Sequence, residues 1–190
     1  VCSSDLTWTA PNSARPPAIG PLIIARSSSD LGVLNAEALG AGGAYSLVSA
    51  ASISLSVSRG TNVLAFTTPV GLREIRQVSY ANMPAVLKTG PAQVDVWAVG
   101  AAFENTDLFT LAWQYNGGNE TGTRTSAAVQ ISGYVEGYPG AQAFYAGTID
   151  VPEAGLAQLY LDIEGAAAGD LFYIDYFVFV VQRSEEHTSE

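Results

Sequence analysis

The side chains in this chain that could do chemistry are mostly aromatic and amide groups. Trp113, Gln114, Tyr115 and Asn116 follow one another, and Trp97 stands on the polar phase of an alternating stretch. Tyr134, Tyr138 and Tyr145 fall in or beside loop-forming sequence. Aromatic faces stack on the apolar C–H patches of a sugar ring, while amides bond its hydroxyls. A pocket of that kind is mostly apolar with sparse polar groups. Arg76 and Arg124 could donate to hydroxyls or carboxylates. The alternative for every one of these aromatics is a place in the core, because strands favour Trp and Tyr for packing.

Catalytic chemistry is poorly supplied. The single cysteine is Cys2 and the single histidine is His187, one near each end. Between them there is no Cys nucleophile, no Ser-His-Asp triad and no His-ligated zinc. Asp162 and Glu164 share one strand face, but two carboxylates alone more often make a solvated edge than a glycosidase pair. The retaining-glucanase pattern Glu-x-Asp-x-x-Glu does not occur. The expectation is a protein without enzymatic activity.

Both ends invite separate treatment. Val1 to Leu6 is what GTG TGC TCT TCC GAT CTN encodes, and Arg183 to Glu190 is what AGA TCG GAA GAG CAC ACG TCT GAA encodes. These resemble a short-read sequencing adapter translated in its two orientations. Residues 1–6 and 183–190 are therefore expected to carry no evolved contacts. They hold three of the ten net negative charges, leaving −7 on residues 7–182. Lys88 and six arginines are too few to neutralise a phosphate backbone, so nucleic acid is excluded as a partner. The longest apolar run, Leu171 to Val181, is broken by Asp175 and too short to span a bilayer, so no membrane insertion is expected.

The elements that must position the aromatic residues read as strands. Ile53, Leu55 and Val57 alternate with serines, and Arg59-Gly60-Thr61-Asn62 turns into Val63 to Thr67, which suggests a hairpin. Further alternating sets are Val94 to Ala98, Phe109 to Tyr115, Val129 to Gly133, Phe144 to Val151 and Ala157 to Ile163. Strands at roughly ten-residue spacing, with Gly, Pro and Asn between them, indicate an all-β sandwich or barrel. Leu171 to Val181 is apolar on both faces and should lie centrally, covered on both sides. Asp175 within it must be bonded, paired or metal-bound if buried. Short helical turns are expected within Asp30 to Gly40 and Pro84 to Leu87, and the four prolines of Pro11 to Pro21 read as a linker or edge. Arg73-Glu74-Ile75-Arg76 reads as a charged, solvent-facing strand or turn, and Asn119-Glu120-Thr121 fits a glycosylation sequon.

Near the C-terminal side the order is Thr148-Ile149-Asp150-Val151-Pro152, then Leu159-Tyr160-Leu161-Asp162-Ile163-Glu164-Gly165, then Asp170-Leu171-Phe172-Tyr173-Ile174-Asp175-Tyr176. This resembles the C-terminal third of galactose-binding-like jelly-roll domains, which include many carbohydrate-binding modules. The resemblance implies an antiparallel β-sandwich of jelly-roll type over residues 43–182, preceded by a Pro-rich segment over 7–42. It further implies a noncatalytic carbohydrate-binding or adhesion module of a larger extracellular or virion protein, with a glycan or polysaccharide as partner. The competing expectation is a bacteriophage tail or fibre domain acting through homo-oligomer or other virion-subunit contacts. In several such modules the matching aspartate, here Asp175, holds a structural calcium with an acidic residue near the domain start, here Glu37.

Overall fold

The computed structural model describes residues 30–40, 45–53, 59–67, 73–102, 109–118, 124–125, 129–131, 142–164 and 171–182. Leu55, Val57, Tyr134, Tyr138, the sequon, the prolines of 11–21 and both adapter-like ends lie outside them. The strands are β1 (Leu31–Asn35), β2 (Tyr45–Ser49), β3 (Asn62–Thr67), β4 (Arg73–Val78), β5 (Ala92–Ala102), β6 (Phe109–Gly117), β7 (Arg124–Thr125), β8 (Val129–Ile131), β9 (Gln142–Val151), β10 (Leu156–Glu164) and β11 (Leu171–Gln182). The described residues include 3₁₀ turns at Ala36–Leu39, Ala50–Ile53 and Ala85–Leu87.

The strands form two antiparallel sheets. The first runs β2-β3-β11-β5-β9, with β1 also paired to β11; the second runs β4-β10-β6-β7, with β8 also on β6. Period-two alternation gives each sheet one apolar face, and the two apolar faces close on each other. The core joins Val94, Val96, Ile149, Ile174, Phe177 and Phe179 of the first sheet to Leu111, Trp113, Leu159, Leu161 and Ile163 of the second.

The segment from Asp30 to Gly40 differs from the helical expectation in its first half. Leu31 to Asn35 is a strand in register with Tyr176 to Val180, and Leu34 enters the core. Only Ala36–Leu39 is helical. Alternation in Leu31-Gly32-Val33-Leu34 outweighs Asp30 as a helix cap, because pairing with the edge of β11 satisfies the backbone of this segment. The sandwich consequently begins before Gly43, and the expected boundary is corrected to include β1. The hairpin partner of β3 is likewise β2, with Ser49 opposite Asn62, while Ile53 belongs to a 3₁₀ turn.

The last strand is central, as its two greasy faces require. It pairs with β5 along one edge; along the other it pairs first with β3 and then with β1. Its inward residues Phe177 and Phe179 face the core, and its outward residues Tyr176, Val178 and Val180 form a second buried cluster with Val99 and Ala143. Opposite β5 the register slips between Ile174 and Tyr176, which makes Asp175 the extra residue of a β-bulge. The same residue marks the handover from β3, whose pairing ends at Ile174, to β1, whose pairing ends at Tyr176.

The chain crosses from the first sheet to the second through the short turn between β9 and β10. That turn is closed by Gly155 N–H donating to the Pro152 carbonyl at 2.9 Å. It lies backbone to backbone on the segment before β5: a Cβ on Gly155 would collide with the Lys88 carbonyl, and one on Gly90 with the Pro152 carbonyl.

Candidate functional site

Strand alternation splits the Trp113 to Asn116 quartet between two environments. Trp113 is 0% exposed and meets Phe177 and Phe179 edge to face, with ring centroids 5.0 and 5.5 Å away. Such pairs add to the area term of burial. Tyr115 is also buried, and its hydroxyl crosses the sandwich to accept the Asp150 N–H at 3.2 Å. These two residues are core, which corrects their expected role as ligand contacts. Burial against the opposite sheet leaves them no free face.

Gln114 and Asn116 point the other way, onto the outer face of the second sheet, and both are partly exposed. The strand register arranges their neighbours in rows across that face. Gln77, Tyr160 and Gln114 form one row over β4, β10 and β6; Ile75, Asp162 and Ala112 form the next; Gln158 and Asn116 lie on the other side. Gln114 Nε2 donates to Asp162 Oδ2 at 3.2 Å, a diagonal cross-strand bond. Asp162 is only 8% exposed, low in the face and flanked by Ile75, which is 46% exposed. Asn116 Oδ1 is enclosed and accepts no hydrogen bond from the described residues.

This surface combines amide donors and acceptors, a carboxylate held in place, a tyrosine ring and an exposed aliphatic side chain. A hydroxyl-rich ligand needs those groups: apolar contact for its C–H faces and fixed polar atoms for its hydroxyls. Gln77 and Tyr160 were not singled out from the sequence as contacts. Their signal lies in the pairing of β4, β10 and β6, which strand patterns alone do not reveal.

The other expected contacts fall elsewhere. Arg76 is opposite Leu161, a core residue, so it stands on the inward side of β4, and its Nε is buried. Its expected ligand role is corrected on that ground; within the charged strand it is Ile75 and Gln77 that face outward. Arg124 is on β7, paired with Tyr115. Tyr138 lies outside the described residues. Trp97 is on the outer face of the first sheet, partly exposed, with Tyr145 as its register partner.

The expected calcium residues occupy the handover on β11. Asp175 is 1% exposed. Glu37, in the 3₁₀ turn that follows β1, accepts the N–H groups of Thr61 and Asn62 on Oε1, at 2.8 and 2.6 Å. It thereby bonds the entry to β3 and leaves one oxygen for any metal. Calcium takes six to eight oxygen ligands, and the described residues gather no group of three or more His, Cys, Asp or Glu side chains. Glu37 serves here as the acceptor for two backbone amides.

No protein-family model and no curated protein matches the chain. Solved structures do. The fold is similar to a Podospora anserina GH26-CBM35 β-(1,4)-mannanase, at TM-score 0.51 and 13% identity, over 82% of this chain. The chain spans 28% of the length of that mannanase. The CBM22-1 xylan-binding domain of Paenibacillus barcinonensis Xyn10C follows at TM-score 0.46 and 15% identity, covering 80% of this chain and 94% of that one. The CBM22-2 domain of the same protein gives 0.44 and 12%, covering 79% and 98%. The architecture is an antiparallel jelly-roll sandwich like that of carbohydrate-binding modules.

Proposed function

We propose that this chain is a noncatalytic carbohydrate-binding module of an extracellular protein, holding a glycan on the outer face of its second sheet. The observation that carries the reading is the row Gln77, Tyr160 and Gln114, backed by the Gln114–Asp162 bond. Neighbouring strands are about 4.8 Å apart. An extended glycan lying across them would meet one side chain of the row per strand, a spacing comparable to the repeat of a β-linked chain. The Gln114–Asp162 bond holds both groups in place before the ligand arrives, which lowers the ordering cost of binding. The resemblance in sandwich architecture to carbohydrate-binding modules supports the same class.

The test is affinity electrophoresis of the full chain through gels containing soluble xylan or mannan, with a glycan array to widen the search. Retention on at least one polysaccharide is expected, and Tyr160→Ala or Gln114→Ala should abolish it while leaving the melting temperature near that of the parent. Retention unaffected by both substitutions would move the site off this face. Failure to bind any glycan would remove the function.

A further inference from the structure

Among the described residues the large apolar side chain most open to solvent is Tyr80, 57% exposed. It stands two residues beyond Val78, where β4 ends opposite Leu159 of β10. The Ser79 carbonyl accepts the N–H groups of Asn82 and Met83 at 3.0 and 3.1 Å, and Met83 is anchored in the core. The 3₁₀ turn Ala85–Leu87 then buries Val86 and Leu87 and delivers Lys88. The Lys88 carbonyl lies against Gly155, just before β10 begins, and its Nζ rests over the Tyr80 ring, 4.7 Å from the centroid. Both residues therefore stand at the end of the second sheet where β4 stops and β10 starts. Ser79, Ala81 and Asn82 of the same turn and Gln158 of β10 are exposed as well, so solvent reaches this end. Three residues separate Gln77 from Tyr80, at most about 10 Å of chain, which keeps the ring within reach of a glycan held by the row Gln77, Tyr160 and Gln114.

Lys88 is the only lysine of a chain with 18 Asp and Glu residues. Among the described residues, the side-chain partner of its ammonium is the Tyr80 ring rather than a carboxylate. The ring quadrupole holds the cation in place and leaves its N–H donors to solvent. A ring more than half exposed with a cation on one face keeps its other face for stacking. A fixed cation beside an open aromatic face, at the end of a surface rich in amides, is complementary to an acidic sugar rather than a neutral one.

We propose that Tyr80 and Lys88 form a subsite for a sugar ring that bears an acidic substituent, a carboxylate or a sulfate ester. That the ring belongs to a longer glycan on the second sheet rests on the glycan-binding reading. Tyr80 packs on the C–H groups of the sugar, and the Lys88 ammonium donates to the anion as a point charge, which suits either group. The net charge of −10 works against any anion at long range, so a preference for the acidic form has to come from Lys88.

The experiment is titration of the full chain with a β-1,4-glucose tetrasaccharide in three forms: unmodified, carboxymethylated and sulfated. Binding is followed by calorimetry and by NMR after reductive 13C-methylation of the amines, which gives one lysine signal because Lys88 is the only lysine. One or both acidic forms are expected to bind about fivefold more tightly than the unmodified one, the worth of an exposed ion pair, and to shift the Lys88 signal. The form that gains more identifies the anion. Lys88→Met should remove the preference, Lys88→Arg should keep it, and Tyr80→Ala should weaken binding of all three forms. Equal binding of the three forms overturns the proposal, as does binding by none of them. So does a preference that survives Lys88→Met or leaves the Lys88 signal unmoved. Binding of the unmodified form that is lost in Tyr160→Ala, with no gain from either acid, keeps the glycan face and removes the subsite. A Lys88-dependent gain that is untouched by Tyr160→Ala keeps the subsite and removes the face. If Lys88→Met fails to fold, the NMR signal makes the same comparison on the unsubstituted chain.

Discussion

Trp113 and Gln114 are adjacent in sequence and serve opposite ends. Trp113 fills the space between the sheets, so Trp113→Ala should destabilise the fold by about 3–5 kcal/mol, read from the urea midpoint. Gln114→Ala lies on an outer face and gives up its bond to Asp162, so it should cost only about 0.5–1.5 kcal/mol. Tyr115→Phe removes the hydroxyl that reaches Asp150 across the sandwich and should cost about 0.5–1.5 kcal/mol in the same measurement. An equal loss for Trp113→Ala and Gln114→Ala would contradict the assignment of faces. The aromatic richness around Trp113 was plain in the sequence, but its meaning depends on phase. Alternation says that Trp113 and Tyr115 share a face while Gln114 and Asn116 share the other. It does not say which face is the core, and the aromatic pair took it because burial of large rings outweighs burial of amides.

At the scale of elements, β5, β6 and β8 to β11 were readable because their apolar runs end at Gly, Pro or Asn, whereas the two-residue β7 was not. The double-sided apolar character of β11 even placed it at the centre of its sheet. What stayed hidden was pairing. β1 joins β11 only because the handover at Asp175 frees an edge for it, and nothing within Leu31 to Asn35 announces a partner about 140 residues away. The glycan face was hidden for the same reason, since its row exists only after β4, β10 and β6 align. Glu37 belongs to this scale too: it bonds two backbone amides where β3 begins. Glu37→Ala should cost about 1–3 kcal/mol by leaving those N–H groups without their acceptor. A loss below about 0.5 kcal/mol in urea unfolding would mean that water replaces the carboxylate freely.

For the whole molecule, one core cluster contains residues of both sheets, so separating the sheets exposes the apolar faces of both. Urea unfolding followed by tryptophan fluorescence and by far-UV circular dichroism should give coincident transitions; separated midpoints would show the sheets melting independently. With Glu37 Oε1 already bonded to two backbone amides, excess chelator is expected to leave the melting temperature unmoved. A drop of several degrees would restore the metal, since a ligand that binds the folded state stabilises it. The junction of Gly155 on Lys88 and Gly90 on Pro152 has a practical consequence for protein engineering. With main chain resting on main chain at this crossover, 152–155 is a poor place for a grafted epitope, an inserted linker or new termini. Designs that need such a site will have to look to the other end of the sandwich.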